Sequence, residues 1–598
     1  MEFNLNNLFE NLPALSDDPT HPSQVAIRTF ALSLSLSLGP SLVPFVLSII
    51  AGRRSQKTGL AALQKVLRRE LGYDSFASAV TLAVGGGAAL RRLWKLLEAK
   101  EEENSEKKHR MDSNSSTRLL SYFNSRLSSR QKTFIANVFT SSVSILLLQA
   151  GRRRSERLRN IPRPGAIPLP YTYTPSNLSL PPSVRNSPSP TLDLTLLVFV
   201  RAIDVAFQSM ISKFTAKAES EPPEPGTRKQ GFNKYKFLVT TRLDALVFWA
   251  CSARIMWCFF YQPERLPSTY VKWIRTLAGV DNRLLRTLQF IRSGEWTYTN
   301  GSPTNPTLLT TYAKDLGYSS SWGDPLRVPA FGGPSARSVW ELLGVQGRKG
   351  LGGVPCELVH GGVGSKMSLD GSCTANSGIR GVKAFFEAVL VYLPAHFLPV
   401  LITRPQVLLR PHRVLSTLLA TCRSATFLSA FISSFWLSVC FTRTLALARL
   451  FPHVSHDFWD GPHGCIMAGC LVCGSSIWLE NGRRRGEMAL YVLPRAIRAC
   501  IPDKLIRSRN RVATNLESYH LVEPSIRLAF ILSLSTLLTA AVHKPESLRG
   551  LSRWGLAFIM NGPHAGFWQR RRKNFETRPG TPTPEPTRSN HISAIASQ

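Results

Sequence analysis

Apolar runs of membrane-spanning length, several of them ending in clustered arginines, limit what this chain can become. A spanning helix needs about 20 mostly apolar residues, and "FIANVFTSSVSILLLQA" before "GRRRSE" (Gly151–Glu156) comes close to that length. A second run, "CIMAGCLVCGSSIWLEN", precedes "GRRRGE" (Gly482–Glu487) in the same way. The net charge of +35 would point to nucleic acid in a soluble protein. Here the charge sits in short clusters at the ends of apolar runs, at Arg53-Arg54, Arg91-Arg92, Arg152–Arg154 and Arg483–Arg485, which is how membrane helices are flanked. The expected partner is therefore the lipid bilayer and not nucleic acid, with a membrane-protein partner or a second copy left open.

The runs read as an all-α, polytopic transmembrane helix bundle of roughly eight to ten spans. They fall at Val25–Ala51, Phe76–Trp94, Phe134–Ala150, Leu192–Ile211, Phe237–Phe260, Phe385–Ile402, Val414–Leu445, Gly464–Leu479, Met488–Ile501, Ile526–Val542 and Trp554–Met560, the last two being marginal. Domain limits follow from the polar inserts: a polar segment 1–24, an N-terminal transmembrane half 25–260 with charged linkers at 99–130 and 152–190, an extramembrane connecting region 261–380, a C-terminal half 381–566, and a basic Pro/Thr tail 567–598 expected to be disordered. The ten cysteines form no regular framework, so a disulfide-stapled secreted domain is not expected. The start lacks the basic n-region of a secretory signal, and the end lacks a peroxisomal SKL-type address.

The two arginine phrases have related upstream partners, "SFASAV" (Ser75–Val80) and "TFLSAF" (Thr426–Phe431). An internal duplication into two related helical halves is the expectation, since repeats are a common way to build polytopic proteins. In lipid, helices associate by close packing, which favours small residues. Ala79, Ala83 and Gly87 fall on one stripe by fours; Gly464, Ala468 and Gly469 belong to two adjacent stripes of the later run.

Candidate chemistry is sparse. "PCELVHGGVGSKMSLDGSC" places Cys356, His360 and Cys373 in a glycine-rich loop, three possible metal ligands where zinc wants four, or three plus water. A disulfide or a plain structural loop are the competing readings. Cys465, Cys470 and Cys473 lie in an apolar run and read as small apolar packing groups. "YLPAHFLP" sets His396 between prolines inside an apolar run, where an ionisable group is a functional candidate by default. Arg201, Asp204, Asp244 and Arg423 are further intramembrane polar candidates, paired along a helix, paired across helices, or snorkelling to an interface. No P-loop, GxSxG, HExxH or dinucleotide fingerprint is present, so no catalytic residue and no cofactor is assigned.

Taken in order, "WCFFYQPERLPSTYVKWI" (Trp257–Ile274), Cys356, His360 and Cys373 followed by "YLPAHFLPVL", "RSATFLSAF" (Arg423–Phe431) and "GRRRGEMALYVLPRAI" (Gly482–Ile497) resemble the transmembrane protein 135 family, over about half the chain. That family is similar to the mitochondrial inner-membrane preprotein translocase and peroxisomal four-helix membrane proteins. The resemblance implies a polytopic protein of peroxisomes or mitochondria linked to transport, lipid handling or organelle dynamics, with no established enzyme activity. The alternative is a membrane enzyme that acts on lipid through His396 and the Cys356/His360/Cys373 loop together.

Overall fold

The computed structural model describes residues 18–50, 60–107, 127–160, 191–220, 229–345, 348, 350–403, 406, 410–501 and 519–562. Among them there is no strand, only an isolated bridge between Thr297 and Gly301. The α-helices run, in order, α1 Pro22–Ile50, α2 Leu60–Glu70, α3 Phe76–Lys107, α4 Ser129–Asn160, α5 Leu192–Ser220, α6 Lys229–Tyr261, α7 Ser268–Ala278, α8 Asn282–Ser293, α9 Leu308–Asp315 and α10 Pro334–Leu343. They continue as α11 Cys356–His360, α12 Cys373–Thr403, α13 Pro411–Cys440, α14 Leu447–Leu450, α15 His456–Trp459, α16 Cys465–Cys473, α17 Gly482–Cys500, α18 Tyr519–His543 and α19 Gly550–Asn561.

Among the described residues, seven stretches are helical, long and apolar enough to cross a membrane: Pro22–Val43, Ser129–Arg152, Leu192–Lys213, Leu238–Tyr261, Cys373–Leu398, Pro411–Leu450 and Pro524–His543. Their outward faces are apolar; on α12, Val382, Phe386 and Leu390 are 59%, 64% and 75% exposed. Rows of that kind need lipid rather than water around them.

Seven is fewer than the eight to ten spans expected, for identifiable reasons. Phe76–Trp94 is helical within α3, but three glycines and Arg91-Arg92 leave it less apolar than the seven. Gly464–Leu479 becomes the short α16 followed by a 3-10 turn, Gly474–Leu479. Met488–Ile501 is absorbed into α17, an amphipathic helix with arginines along its polar side, the pattern of a helix lying at a membrane surface. Trp554–Met560 lies in α19, which is only 12 residues long.

The arginine phrases also differ locally. In α4 the Gly151–Arg154 stretch simply continues the helix. In the second case the chain breaks at Glu480 and Asn481, both extended, and Gly482 opens a new helix.

Two compact units interleave along the chain: residues 1–175, 201–216 and 524–598 form one, and residues 176–200 and 217–523 the other.

In the first unit α3 packs between α1 and α4. Small residues permit the approach: Ser144 Oγ donates to the Ala79 carbonyl at 2.7 Å and Thr140 Oγ1 to that of Ala83 at 3.0 Å. A Cβ placed on Gly87 would lie 2.4 Å from Asn137 Oδ1. Polar groups inside the unit find partners on α18 and the segment before α19. Asn137 Nδ2 donates to Thr539 Oγ1 at 3.2 Å and Arg527 Nε to Gln149 Oε1 at 2.8 Å. Arg549 pairs with the buried Asp204, its Nε 3.2 Å from Oδ2, so Asp204 is matched across helices.

In the second unit α12 and α13 form an antiparallel hairpin fastened by serines. Ser377 Oγ donates to the Ser433 carbonyl at 2.7 Å, Ser433 Oγ back to that of Ser377 at 3.1 Å, and Ser429 Oγ to that of Gly381 at 2.8 Å. α16 lies against α13, where a Cβ on Gly469 would come 2.8 Å from Phe435. Ala468 is half-buried, and Gly464 precedes α16 with its Cα hydrogens against the Trp459 carbonyl. Phe260 stacks on Phe435 with ring centres 5.2 Å apart, joining α6 to the same core.

Candidate metal centre and its buried polar surroundings

A spacing of four puts Cys356 and His360 on one face of the single turn of α11. Gly361, Gly362 and Gly364 then take left-handed φ values of 66°, 73° and 89°, a conformation natural to glycine. They turn the chain back so that Cys373 opens α12 beside them. The ligand atoms of Cys356, His360 and Cys373 all lie within 4.8 Å of one another. A fourth donor arrives that the sequence did not flag: Cys440, the last residue of α13, has its Sγ 3.4 Å from His360 Nε2. Cys373 lies within hydrogen-bond reach of both the Cys356 and the Cys440 thiols.

The surroundings orient these groups. His360 Nδ1 is 2.6 Å from the Asp370 carbonyl oxygen. A carbonyl only accepts, so Nδ1 carries the proton and Nε2 turns its lone pair to the cysteines. Arg380 donates to the His360 carbonyl at 2.8 Å and to Asn376 Oδ1 at 2.8 Å, with its guanidinium 4.1 Å over the Trp436 ring. Arg348 is 2% exposed and among the described residues hydrogen-bonds no carboxylate; Nη1 meets Cys356 Sγ at 3.3 Å and Nη2 the Gly352 carbonyl. A hydrogen bond with Cys373, together with burial, pushes the Cys356 thiol up to about 12. As a free thiol it would be a poor nucleophile.

A buried ion pair adjoins the cysteines. After Cys440 the helix takes one π-turn, Phe441–Leu445, whose wider winding turns Thr442, Arg443 and Thr444 all inward. Thr444 Oγ1 is 3.1 Å from Cys356 Sγ. Arg443 forks onto Asp460, Nε to Oδ1 at 2.5 Å and Nη2 to Oδ2 at 3.0 Å, and Tyr298 donates to Oδ2 at 2.5 Å. Burial opposes the charge on Asp460, but the Arg443 guanidinium overcomes it and holds the carboxyl below its ordinary value. Burial also brings His456, 1% exposed beside this pair, down to about 3, so its ring is neutral.

His396 is far from all of this. It lies on the same helix as Cys373, and at 1.5 Å per residue the two are on the order of 35 Å apart. Arg484 of α17 approaches its ring, Nη1 2.6 Å from Nε2 and Nη2 3.2 Å from Nδ1, and also donates to Ser424 Oγ at 3.0 Å. The Ser424 hydroxyl in turn donates to Glu480, a fully buried carboxylate, at 2.7 Å. The enzyme alternative that joins His396 to the Cys/His loop in one site is therefore corrected: these are two sites at opposite ends of one span.

Of the remaining candidates, Arg423 borders the His396 cluster, donating to the Leu479 carbonyl at 2.6 Å next to Glu480, while Arg201 is half-buried one turn before Asp204 and Asp244 is half-buried on α6. Because the His396 ring accepts from a guanidinium, a glutamine carbonyl can take its place. We expect His396→Gln to keep the thermal stability of the wild type in detergent. His396→Leu should lose about 0.5–1.5 kcal/mol, because it removes an acceptor from the half-buried Arg484 guanidinium, which keeps its bond to Ser424. Equal loss in both variants would mean that the imidazole itself matters.

Between α6, α7, α12, α13 and α17 lies an apolar cavity of about 360 Å³. Its walls include Phe248, Ile255, Trp273, Phe431, Ile432 and Met488. Its few polar lining groups are Ser252, Tyr270, Tyr392, Glu487 and Tyr491, and Arg495 stacks on Tyr491 at 3.8 Å and on Tyr270 at 5.1 Å.

Fold and surface together define a polytopic α-helical integral membrane protein. The chain matches no family model, no curated protein and no solved structure.

Proposed function

We propose that this is a non-enzymatic protein of the peroxisomal or mitochondrial membrane that handles lipid, seating an acyl chain in the cavity between α6, α7, α12, α13 and α17. The cavity carries the proposal. It is lined almost wholly by apolar and aromatic side chains and flanked by two amphipathic helices of the interfacial type, and Glu487 with the Arg495–Tyr491–Tyr270 stack offers polar groups suited to an amphiphile's headgroup. The likeness of Trp257–Ile274, Arg423–Phe431 and Gly482–Ile497 to the transmembrane protein 135 family supports the same reading. On it, the two arginine phrases are traces of a duplicated helix pair.

The test is photo-crosslinking with a clickable diazirine fatty acid, in cells where a tagged copy is also imaged against peroxisomal and mitochondrial markers. Ile432→Trp, which fills the cavity, should cut labelling about tenfold, the equivalent of about 1.4 kcal/mol of lost affinity. Leu390→Trp, on the exposed face of α12, should leave it unchanged. Equal labelling of the two variants, or residence in neither organelle, would overturn the proposal.

A further inference from the structure

We propose that Cys356, His360, Cys373 and Cys440 are the four ligands of a structural zinc ion that fastens the α11 loop to the first residue of α12 and the last of α13. Zinc in closed protein sites is four-coordinate and tetrahedral, and three cysteines with one histidine is a standard ligand set. With Zn–S near 2.3 Å and Zn–N near 2.0 Å, the edge between a sulfur and a nitrogen ligand should be about 3.5 Å. Cys440 Sγ and His360 Nε2 are 3.4 Å apart, and the ligand atoms of His360, Cys356 and Cys373 fall within 4.8 Å of one another. That is the size of one ion's coordination sphere. A polynuclear iron–sulfur core would hold its ligands further apart.

Three further observations point the same way. The histidine presents the correct nitrogen, because Nδ1 is committed to the Asp370 carbonyl. Such an outer hydrogen bond is the usual companion of a metal-bound imidazole. The charges also fit: three thiolates and one Zn²⁺ sum to a single negative charge. Arg348, buried and hydrogen-bonded to Cys356 Sγ but, among the described residues, to no carboxylate, supplies the compensating positive one. All four residues are at most 6% exposed, which leaves no open coordination position for substrate and marks a structural rather than a catalytic ion. Loading the site releases the thiol protons, so zinc uptake is pH-dependent.

The position gives the ion its purpose. Cys373 is the first residue of α12 and Cys440 the last of α13, while Cys356 and His360 belong to the loop segment before them. The serine contacts hold the two helices along their length; the zinc would join their ends to the polar segment above.

The full chain should be purified in detergent without added metal and its zinc measured by mass spectrometry. About one zinc per chain is expected, falling at least fivefold in Cys440→Ser and in His360→Ala, with Cys470→Ser, a buried cysteine elsewhere in the same unit, unchanged. A variant that fails to fold is covered by a second measurement on wild-type protein, unloaded and refilled with Co²⁺. The thiolate-to-cobalt absorption should have the intensity of three thiolates, together with the strong visible bands of tetrahedral cobalt. Wild-type protein without zinc and without that cobalt spectrum would overturn the proposal, as would a Cys356–Cys373 disulfide in freshly isolated protein. A Cys440→Ser variant that keeps a full zinc ion and the three-thiolate spectrum would remove Cys440 from the site.

Discussion

Asp460→Asn is expected to cost about 3–5 kcal/mol of stability, most of what a protein of this kind has to lose. The guanidinium of Arg443 is 2% exposed, so removing its carboxylate leaves a charge out of water with no opposite charge against it. An asparagine oxygen can accept one of the two bonds but brings no charge. Most of the variant should be aggregated on detergent extraction. The pair need not be favourable as a whole, because taking two charges out of water offsets their attraction. Arg443→Met combined with Asp460→Asn should therefore recover more than half of the monodisperse protein lost by the single change. If Asp460→Asn alone extracts and melts like the wild type, the buried ion pair is not what organises this region.

Gly464→Ala is expected to be nearly as harmful, although it adds a single methyl group. A Cβ there would lie 2.1 Å from the Trp459 carbonyl oxygen and 2.4 Å from that of Phe458, and both obstacles are backbone. Nothing can swing aside, so the cost should reach or exceed the usual overpacking range of about 1–3 kcal/mol. Gly378→Ala, inside α12 with nothing within 4 Å of its Cβ position, should instead be neutral or stabilising by about 0.5–1 kcal/mol. Differential scanning fluorimetry of both variants in one detergent gives the comparison. A melting temperature for Gly464→Ala within about 2 °C of the wild type would show that the α15–α16 turn can relax.

The helical spans were legible because length and hydropathy suffice to report them, as for Ser129–Arg152 and Leu238–Tyr261. The over-count came from apolar runs such as Met488–Ile501, an amphipathic stretch that also carries Arg495 and the buried Arg498, which pairs with Asp193. Three of the four residues of the candidate metal centre, Cys356, His360 and Cys373, were visible together in one glycine-rich loop. Cys440 was not, because a cysteine at the end of an apolar run is chemically silent until folding shows its neighbours. Arg443 and Asp460 were hidden for a related reason. One sits in a π-turn that no residue pattern announces, and the other in a loop after it. His396 was singled out by its prolines, yet its partner Arg484 lies on a different helix in one of the arginine phrases, where charge reads as a membrane flank.

The interleaving of the two units also sets a timetable for synthesis. Residues 217–523 are translated after the first helices of the other unit and before its last ones. At about 5–20 residues per second this takes on the order of 15–60 s. Throughout that interval Asn137, Gln149 and Asp204 are already made, while Thr539, Arg527 and Arg549, which satisfy them, do not yet exist. The oldest helices must wait in the translocon or beside a membrane chaperone with their polar groups uncovered, and they mature last. A premature stop codon near the 3′ end of the message would therefore do its damage to the part of the protein that was made first.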